Sequence, residues 1–568
     1  MGGPASAGPA GPVILVAHDD EERRSVLASR LNRRFGADYD VRAEPSSAAG
    51  LSVLSRLAED GRDVCLVIAG QHAEHTDGAG FLAASHGLHP AAKRALLVGR
   101  GEWRSGHPAV RAMLLGQIDG YLFDPWQPEE RWLYLPVSEL LVDWAQTQAP
   151  LFEAFHVVGD QWEARSHEIR DALGRVGVPF GFSSPDSEQG RRMLREHGQD
   201  GERLPVVVPG APGSAAVVQP DVAELASMLG LPTGFATEAC DVAIVGAGPA
   251  GLAAAVYAAS EGLRTVVIDM SLPGGQAGTS SLIRNYLGFP RGISGENLAN
   301  RAAEQAWLFG ADLVLGRPAT GLRTEAARHV VQVGDDEVVA RAVIIACGVD
   351  WRRLGVPALE ELRGAGVFYG AAGAEAVAVA GEDVFVVGAG NSAGQAAVHL
   401  ARWASTVTIL VRGPALAASM SDYLITVIEQ IPAITVRLHT EIIDGRGDER
   451  LEEVELRDRR SGATEVVPAA AVFVMIGAQP RTDWLGDTVR RDEQGYVVTG
   501  HDLLAGGVPL PEWPLVRPPW LLETSTPGVF AVGDVRHGSI KRVATAVGTG
   551  SMAVQLIHQY LSEPHAPA

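Results

Sequence analysis

The chain has 568 residues, 46% of them hydrophobic and 20% charged, the balance of an ordinary globular protein long enough for about four domains. Its formal net charge of −21 argues against nucleic-acid and anionic-membrane binding, since both need clustered Lys and Arg. Three scattered cysteines, Cys65, Cys240 and Cys347, give neither a zinc spacing nor a disulfide scaffold, so a reducing cytoplasmic setting is expected and no metal site. Without a long apolar run no membrane span is expected. The leader "MGGPASAGPAGP", residues 1–12, reads as a disordered Gly/Pro/Ala segment.

Residues 13–147 alternate apolar strands ("PVILVAHDD", "DVCLVIAG", "KRALLVGR", "IDGYLFDPW") with helical patterns, which implies βαβ units on a parallel sheet. This region resembles the receiver domain of response regulators, a flavodoxin-like fold. Asp19 and Asp20 match that family's acidic pair. Gly70, however, stands where the phosphoacceptor aspartate belongs, Gly99 replaces the hydroxyl residue, and Asp124 replaces the lysine. Phosphoryl transfer needs a carboxylate nucleophile and a nearby cation, so the resemblance implies a pseudo-receiver. Asp19 and Asp20 also read simply as a solvated helix start, where carboxylates suit the helix dipole.

Residues 152–232 place a strand ("FHVVG"), a helix ("RSHEIRDALGRVG") and a strand ("LPVVVPG") in series. They resemble a thioredoxin- or glutaredoxin-like domain, with Leu204-Pro205 at that family's cis-proline turn. The redox cysteines of that family would fall at Glu163 and Ser166, so no activity carries over and a structural or docking role is expected.

From 238 to 565 one nucleotide-binding unit occurs twice. "DVAIVGAGPAGLAAAVYAASEGLRTVVIDM" has Gly246, Gly248 and Gly251 in GxGxxG spacing, with Pro249 and Ala250 opening the helix and Asp269 ending the next strand. The first glycine allows the tight turn, the second lets a pyrophosphate approach the backbone, the third lets helix pack on strand, and the carboxylate suits a ribose hydroxyl. "VFVVGAGNSAGQAAVHLARWASTVTILVRG" repeats the pattern with Gly388, Gly390, Asn391, Ser392 and Ala393, the alanine being an accepted variant. Arg412, rather than a carboxylate, follows its second strand. An arginine there suits a 2′-phosphate, so NADPH is expected over NADH, although a plain surface arginine would look the same.

The loop "LPGGQAGTSSLIRNYLGFP" and the segment "TPGVFAVGDVRHGSIKRVATAVGTG" extend this to a resemblance to thioredoxin reductases over nearly all of 238–565. The resemblance implies FAD held by Gly275, Gln276, Asn285, Gly533, Asp534, Val543 and Ala544, in an FAD domain split into 238–350 and 479–565. An NAD(P)H domain spans 351–478. Arg284 departs from the glutamate usual in that family. The whole chain is thus expected to be α/β: pseudo-receiver, thioredoxin-like domain and a flavoprotein reductase with two Rossmann-like domains.

In that family a CxxC precedes the second fingerprint. Here those positions are Ala371 and Ala374, which have no redox chemistry. Cys347, in "VIIACGVDW", has no partner cysteine in sequence and reads as a small hydrophobe. The expected function is an FAD-dependent NAD(P)H oxidoreductase passing electrons to an external non-dithiol acceptor such as a quinone, an iron–sulfur protein or oxygen. The alternative is a redox-sensing flavoprotein that docks partners through its N-terminal domains. A true thioredoxin-disulfide reductase is the third reading. The resemblance also implies a homodimer.

Overall fold

The computed structural model describes residues 11–70, 72–73, 76–99, 109, 112–113, 117–145, 153–210, 213–236, 239–280, 283, 285–289, 292–325, 328–370, 376, 378–511 and 513–563. The chain divides into two compact units, Met1–Leu151 and Phe152–Ala568.

In the first unit, β1 (Val13–Ala17), α1 (Glu21–Phe35), β2 (Asp40–Glu44), α2 (Ser47–Glu59), β3 (Val64–Ala69), α3 (Gly78–Leu88), β4 (Lys93–Gly99), β5 (Gly120–Asp124) and α4 (Leu135–Ala145) follow in order. The five strands form one parallel sheet in the order β2-β1-β3-β4-β5. β1 and β3 are buried on both faces, which is why they read as unbroken apolar runs rather than alternating ones. Asp20 caps α1, its carboxylate accepting the Arg23 N–H at 3.0 Å.

The second unit opens with β6 (Phe155–Val158), α5 (Ala164–Arg175), β7 (Phe180–Ser183), α6 (Glu188–Glu196), β8 (Val206–Pro209), β9 (Val217–Val218) and α7 (Val222–Met228). The sheet order is β9-β8-β6-β7, with β6 parallel to β7 and antiparallel to β8. The Leu204–Pro205 bond just before β8 is cis.

A larger sheet follows: β10 (Ala239–Val245), β11 (Thr265–Asp269), β12 (Asp312–Leu315), β13 (Gly321–Glu325), β14 (Arg328–Val333) and β15 (Asp336–Ile345) in the order β12-β11-β10-β15-β14-β13. Helix α8 (Pro249–Ser260) crosses from β10 to β11, and α9 (Gly295–Leu308) leads to β12. β16 (Val349–Trp351) then carries the chain out.

Another sheet has the order β17-β24-β18-β19-β20, built from β17 (Val367–Tyr369), β18 (Asp383–Val387), β19 (Thr406–Val411), β20 (Ile434–Leu438) and β24 (Ala471–Val474), with all its pairings parallel. Helix α10 (Asn391–Leu400) crosses from β18 to β19, α11 (Asp422–Glu429) leads to β20, and a meander of β21 (Thr440–Arg446), β22 (Glu453–Asp458) and β23 (Thr464–Pro468) precedes β24. β25 (Ala478–Pro480) returns the chain, pairing antiparallel with β16. β26 (Val529–Ala531) rejoins the larger sheet beside β15, and α12 (Val543–Ser562) packs on α8. The second sheet is therefore inserted into the first domain through two adjacent strands.

Candidate functional site

At the first fingerprint the backbone dictates the residues. Gly246 has φ +115°, and a Cβ there would lie 2.3 Å from the Ala346 carbonyl oxygen. A Cβ at Gly251 would lie 1.8 Å from the Gly246 oxygen, so only glycine lets α8 start against β10. Gly248 caps α8, Pro249 occupies its first turn, and Ala250 is buried beneath it. A Cβ at Gly248 would meet only the Gly275 Cα, at 3.9 Å, leaving the approach to the helix N-terminus open.

Asp269 closes β11, its carboxylate accepting hydrogen bonds from the Ala247 and Ser271 N–H groups. Burial pushes its pKa above the usual carboxylate range, against those two bonds and the Arg481 and Arg175 charges. The Gly274–Gly275 turn, both residues at positive φ, presents Gln276. The Gln276 Nε2 is buried without a hydrogen-bond partner among the described residues. Asp534, in the turn after β26, is raised by burial, with Lys541 pulling the other way. Gly533 is buried, and its N–H donates to the Thr549 hydroxyl on α12 at 3.1 Å. Val543 and Ala544 form the first turn of that helix. Asn285 is exposed, and Arg284 lies outside the described residues.

The second fingerprint repeats the geometry. Gly388 has φ +146°, and a Cβ would come within 2.4 Å of the Met475 oxygen. Ala393, in place of a third glycine, is fully buried, whereas a Cβ at Gly390 would meet nothing within 4 Å. Asn391 and Ser392 are exposed at the start of α10. The Asn391 Oδ1 accepts from the Ser421 N–H at 2.8 Å and from its hydroxyl at 3.1 Å, while the Ser419 hydroxyl donates to the Ala389 carbonyl at 2.8 Å. Sequence reading missed both serines, which lie far along the chain. Arg412 is exposed at the end of β19, and the Arg459 guanidinium donates to its carbonyl at 3.3 Å. Arg459 was equally invisible in sequence, arriving from the end of β22.

Ala371 and Ala374 lie outside the described residues. The described thiols are poorly set up for chemistry. Cys347 donates to the Arg481 carbonyl at 3.0 Å, and burial pushes its pKa up to about 12. Burial does the same to Cys65 and Cys240. All three are free cysteines.

In the small mixed sheet domain, Glu163 caps α5, its carboxylate accepting from the Ser166 N–H at 2.9 Å and the Ser166 hydroxyl at 2.6 Å. Ser166 is fully buried, and both its side chain and Pro205 crowd Gly159. In the first unit, Gly70 faces His18: a Cβ at Gly70 would lie 2.8 Å from the His18 ring. The His18 Nδ1 accepts from the Asp20 N–H at 3.0 Å, and burial lowers its pKa. Arg23 reaches from α1 to Asp124 at 2.7 Å, and Gly99 ends β4 beside it in register with Asp124. Asp19 and Asp20 sit exposed at the start of α1. Among the described residues no group of three His, Cys, Asp or Glu is arranged to hold a metal ion, and no helix is long and apolar enough to cross a membrane.

Two Rossmann-like domains, one inserted into the other, each with a glycine turn opening a helix at the sheet's carboxyl edge, define a two-dinucleotide α/β protein. The model of the family "Pyridine nucleotide-disulphide oxidoreductase" matches residues 240–550, and the chain belongs to that family. It is 34% identical over 324 residues to the thioredoxin reductase of Bacillus subtilis, and 35% over 327 residues to that of Mycolicibacterium smegmatis. Each alignment takes in 57% of this chain and 95% or 97% of the relative. Two solved structures, those of "T. acidophilum thioredoxin reductase" (30% identity) and of Lactococcus lactis thioredoxin reductase "(FR conformation)" (27%), align at a TM-score of 0.50. They cover 57% of this chain and 100% and 99% of their own.

Thioredoxin reductases bind FAD and NADPH. The residues here fit those groups: an unpartnered buried amide at Gln276, an open helix N-terminus at Gly248, and a carboxylate at Asp269 for a hydroxyl donor.

Proposed function

We propose that this chain is an FAD-dependent NAD(P)H oxidoreductase whose electrons leave to an external acceptor that is not a dithiol of the chain itself. Bound FAD would supply the hydride and electron chemistry. The chain's own residues bind and orient: Gly246, Gly248 and Gly251 seat a pyrophosphate on α8, Asp269 accepts a ribose hydroxyl, and Gln276 and Asp534 hold the remainder. Gly388, Gly390 and α10 seat the nicotinamide dinucleotide, with Arg412 favouring a 2′-phosphate.

The observation that carries the reading is the pairing of two glycine turns with no cysteine at 371 or 374. Three thiols, each with its pKa pushed up to about 12 by burial of the sulfur, support it, because the thiolate is the reactive form. Acceptors compatible with it are a quinone, an iron–sulfur protein or oxygen. The decisive experiment is anaerobic titration with NADPH and NADH followed by an acceptor screen. Bleaching of the oxidised flavin's visible absorbance without thioredoxin-disulfide reduction is expected. No bleaching with either nucleotide overturns the reading.

The first unit we read as a pseudo-receiver, supported by its β2-β1-β3-β4-β5 order and by His18 crowding Gly70. The 152–232 segment we read as thioredoxin-like without redox chemistry, supported by Glu163 and Ser166 at the cysteine positions. Two such domains favour a second reading, in which the reductase reports redox state to docked partners. Turnover unchanged on deleting residues 1–151 would count against it for the first of them. Assembly as a homodimer and a cytoplasmic location follow from the same resemblance.

A further inference from the structure

The mixed-sheet domain, from β6 to α7, touches both dinucleotide domains, and the two contacts differ in kind. Toward the first it is apolar and continuous: Phe155, Ile169, Leu173 and Leu225 belong to one buried cluster with Ala250, Leu252 and Leu313. Backbone approaches are close as well. A Cβ at Gly316 would lie 2.6 Å from the Ala223 Cα, and one at Gly177 would lie 2.3 Å from the Glu296 carboxylate. Separation here would expose core, which the hydrophobic effect opposes.

Toward the second dinucleotide domain the contact is made by one end of α5. Glu168 pairs with Arg363 at 3.2 Å, with both side chains more than 40% exposed. Trp162, which packs at the edge of the second domain's apolar cluster with Leu359 and Leu362, has Arg450 stacked over its ring at 5.5 Å, and His167 lies 5.5 Å from Phe368. Ala164 abuts Gly364, where a Cβ would stand 3.0 Å from the Ala164 Cα. Exposed ion pairs and single ring contacts are individually weak and screened by salt. The chain joins the two dinucleotide domains at β16 and β25, which pair antiparallel and are bridged by Arg481 to Asp350 at 3.3 Å. Two adjacent strands are a hinge in form.

We propose that the mixed-sheet domain is a fixed part of the first dinucleotide domain and a releasable latch on the second. Latched, it holds the second domain at one orientation about β16 and β25. Released, it stays on the first domain while the second swings. The anchor is a continuous buried apolar cluster, whereas the latch has one tryptophan at the edge of the second domain's core beside exposed charges, so charge changes act on the latch and leave the anchor intact. The inference rests on contacts, not on the redox reading, and stands or falls separately from it.

The test is a distance measurement on the full chain. Spin labels on Glu304→Cys and Glu429→Cys, both exposed, report one dinucleotide domain against the other. The parent gives one dominant distance at low salt. Glu168→Arg, which sets two guanidinium groups against each other, raises a second population about tenfold, and Arg363→Glu added to it restores the single distance. Trp162→Ala gives the second population without any charge change. An unchanged distribution in both Glu168→Arg and Trp162→Ala, or failure of the charge exchange to restore the parent, overturns the latch. Retained thermal stability in each variant separates release from misfolding.

Discussion

The Cys347 thiol donates a hydrogen bond to the Arg481 carbonyl oxygen at 3.0 Å, tying the end of one dinucleotide domain's sheet to the strand that returns from the other. Trp484 donates its indole N–H to the same oxygen at 3.1 Å. The thiol therefore works as a small hydrogen-bond donor between the two segments. With its pKa pushed up to about 12 by burial, the thiol stays protonated at neutral pH. We expect Cys347→Ser to keep nicotinamide-driven flavin reduction at the parent rate, measured by stopped flow. A rate loss beyond tenfold would instead give the thiol a redox part.

Gly246 and Gly390 separate folding from binding. Alanine at 246 meets the Ala346 oxygen and a positive φ together, so Gly246→Ala should yield colourless or unstable protein. Gly390 sits at φ −88° with open space around its missing side chain. Gly390→Ala should fold, keep its flavin and raise the KM for NAD(P)H by ~tenfold, since the methyl stands where a phosphate approaches. Absorbance spectra and steady-state kinetics distinguish the two outcomes.

Gln276 has a buried amide nitrogen waiting for an acceptor. Gln276→Leu removes it at similar volume. Flavin dissociation should increase by ~10–100-fold, the cost of one buried hydrogen bond to a ligand, while apoprotein stability rises or holds because the orphan donor is gone. Equilibrium dialysis of FAD and thermal unfolding of the apoprotein check the two halves.

Arg412 and Arg459 meet at the end of β19. Arg459 is also held by Glu441 at 3.3 Å. Removing Arg412 should therefore raise the KM for NADPH by ~tenfold and leave NADH unchanged, with Arg459→Ala giving a smaller change of the same sign. Equal effects on both nucleotides would mean that neither guanidinium reads the 2′-phosphate.

His329 and His399 set an acid limit. Burial lowers both pKa values to about 4, and each Nε2 is buried without a partner. In the unfolded chain histidine titrates near 6.5, so below that pH the unfolded state takes up protons that the folded state refuses. The stability these residues lend is present above pH 6.5 and is lost as pH falls toward 4, by about 3 kcal/mol for each. The thermal midpoint of the parent should drop over that window, and His329→Leu should flatten the drop. A midpoint rising on acidification would contradict the sign.

The strands were legible because they are buried on both faces, and the glycine turns because only glycine satisfies their geometry. Gly246 and Gly388 announce themselves by spacing, and the structure gives the reason in the Ala346 and Met475 carbonyls that a Cβ would strike. That Glu163 and Ser166 are not cysteines and Gly70 is not an aspartate is plain from sequence. What each side chain does was not: that Glu163 caps α5 at Ser166, or that His18 crowds Gly70, depends on strands and helices brought together in space.

Local pattern by itself determined the two nucleotide-binding units and the three lone cysteines, since period, turn chemistry and residue type are short-range properties. Only the tertiary structure decided that Ser419 and Ser421 fasten the second turn, that Arg459 joins Arg412, and that one small domain is cemented to one sheet and merely pinned to another. Those are contacts between distant segments, and their strength depends on burial and solvent exposure that no local window of sequence records.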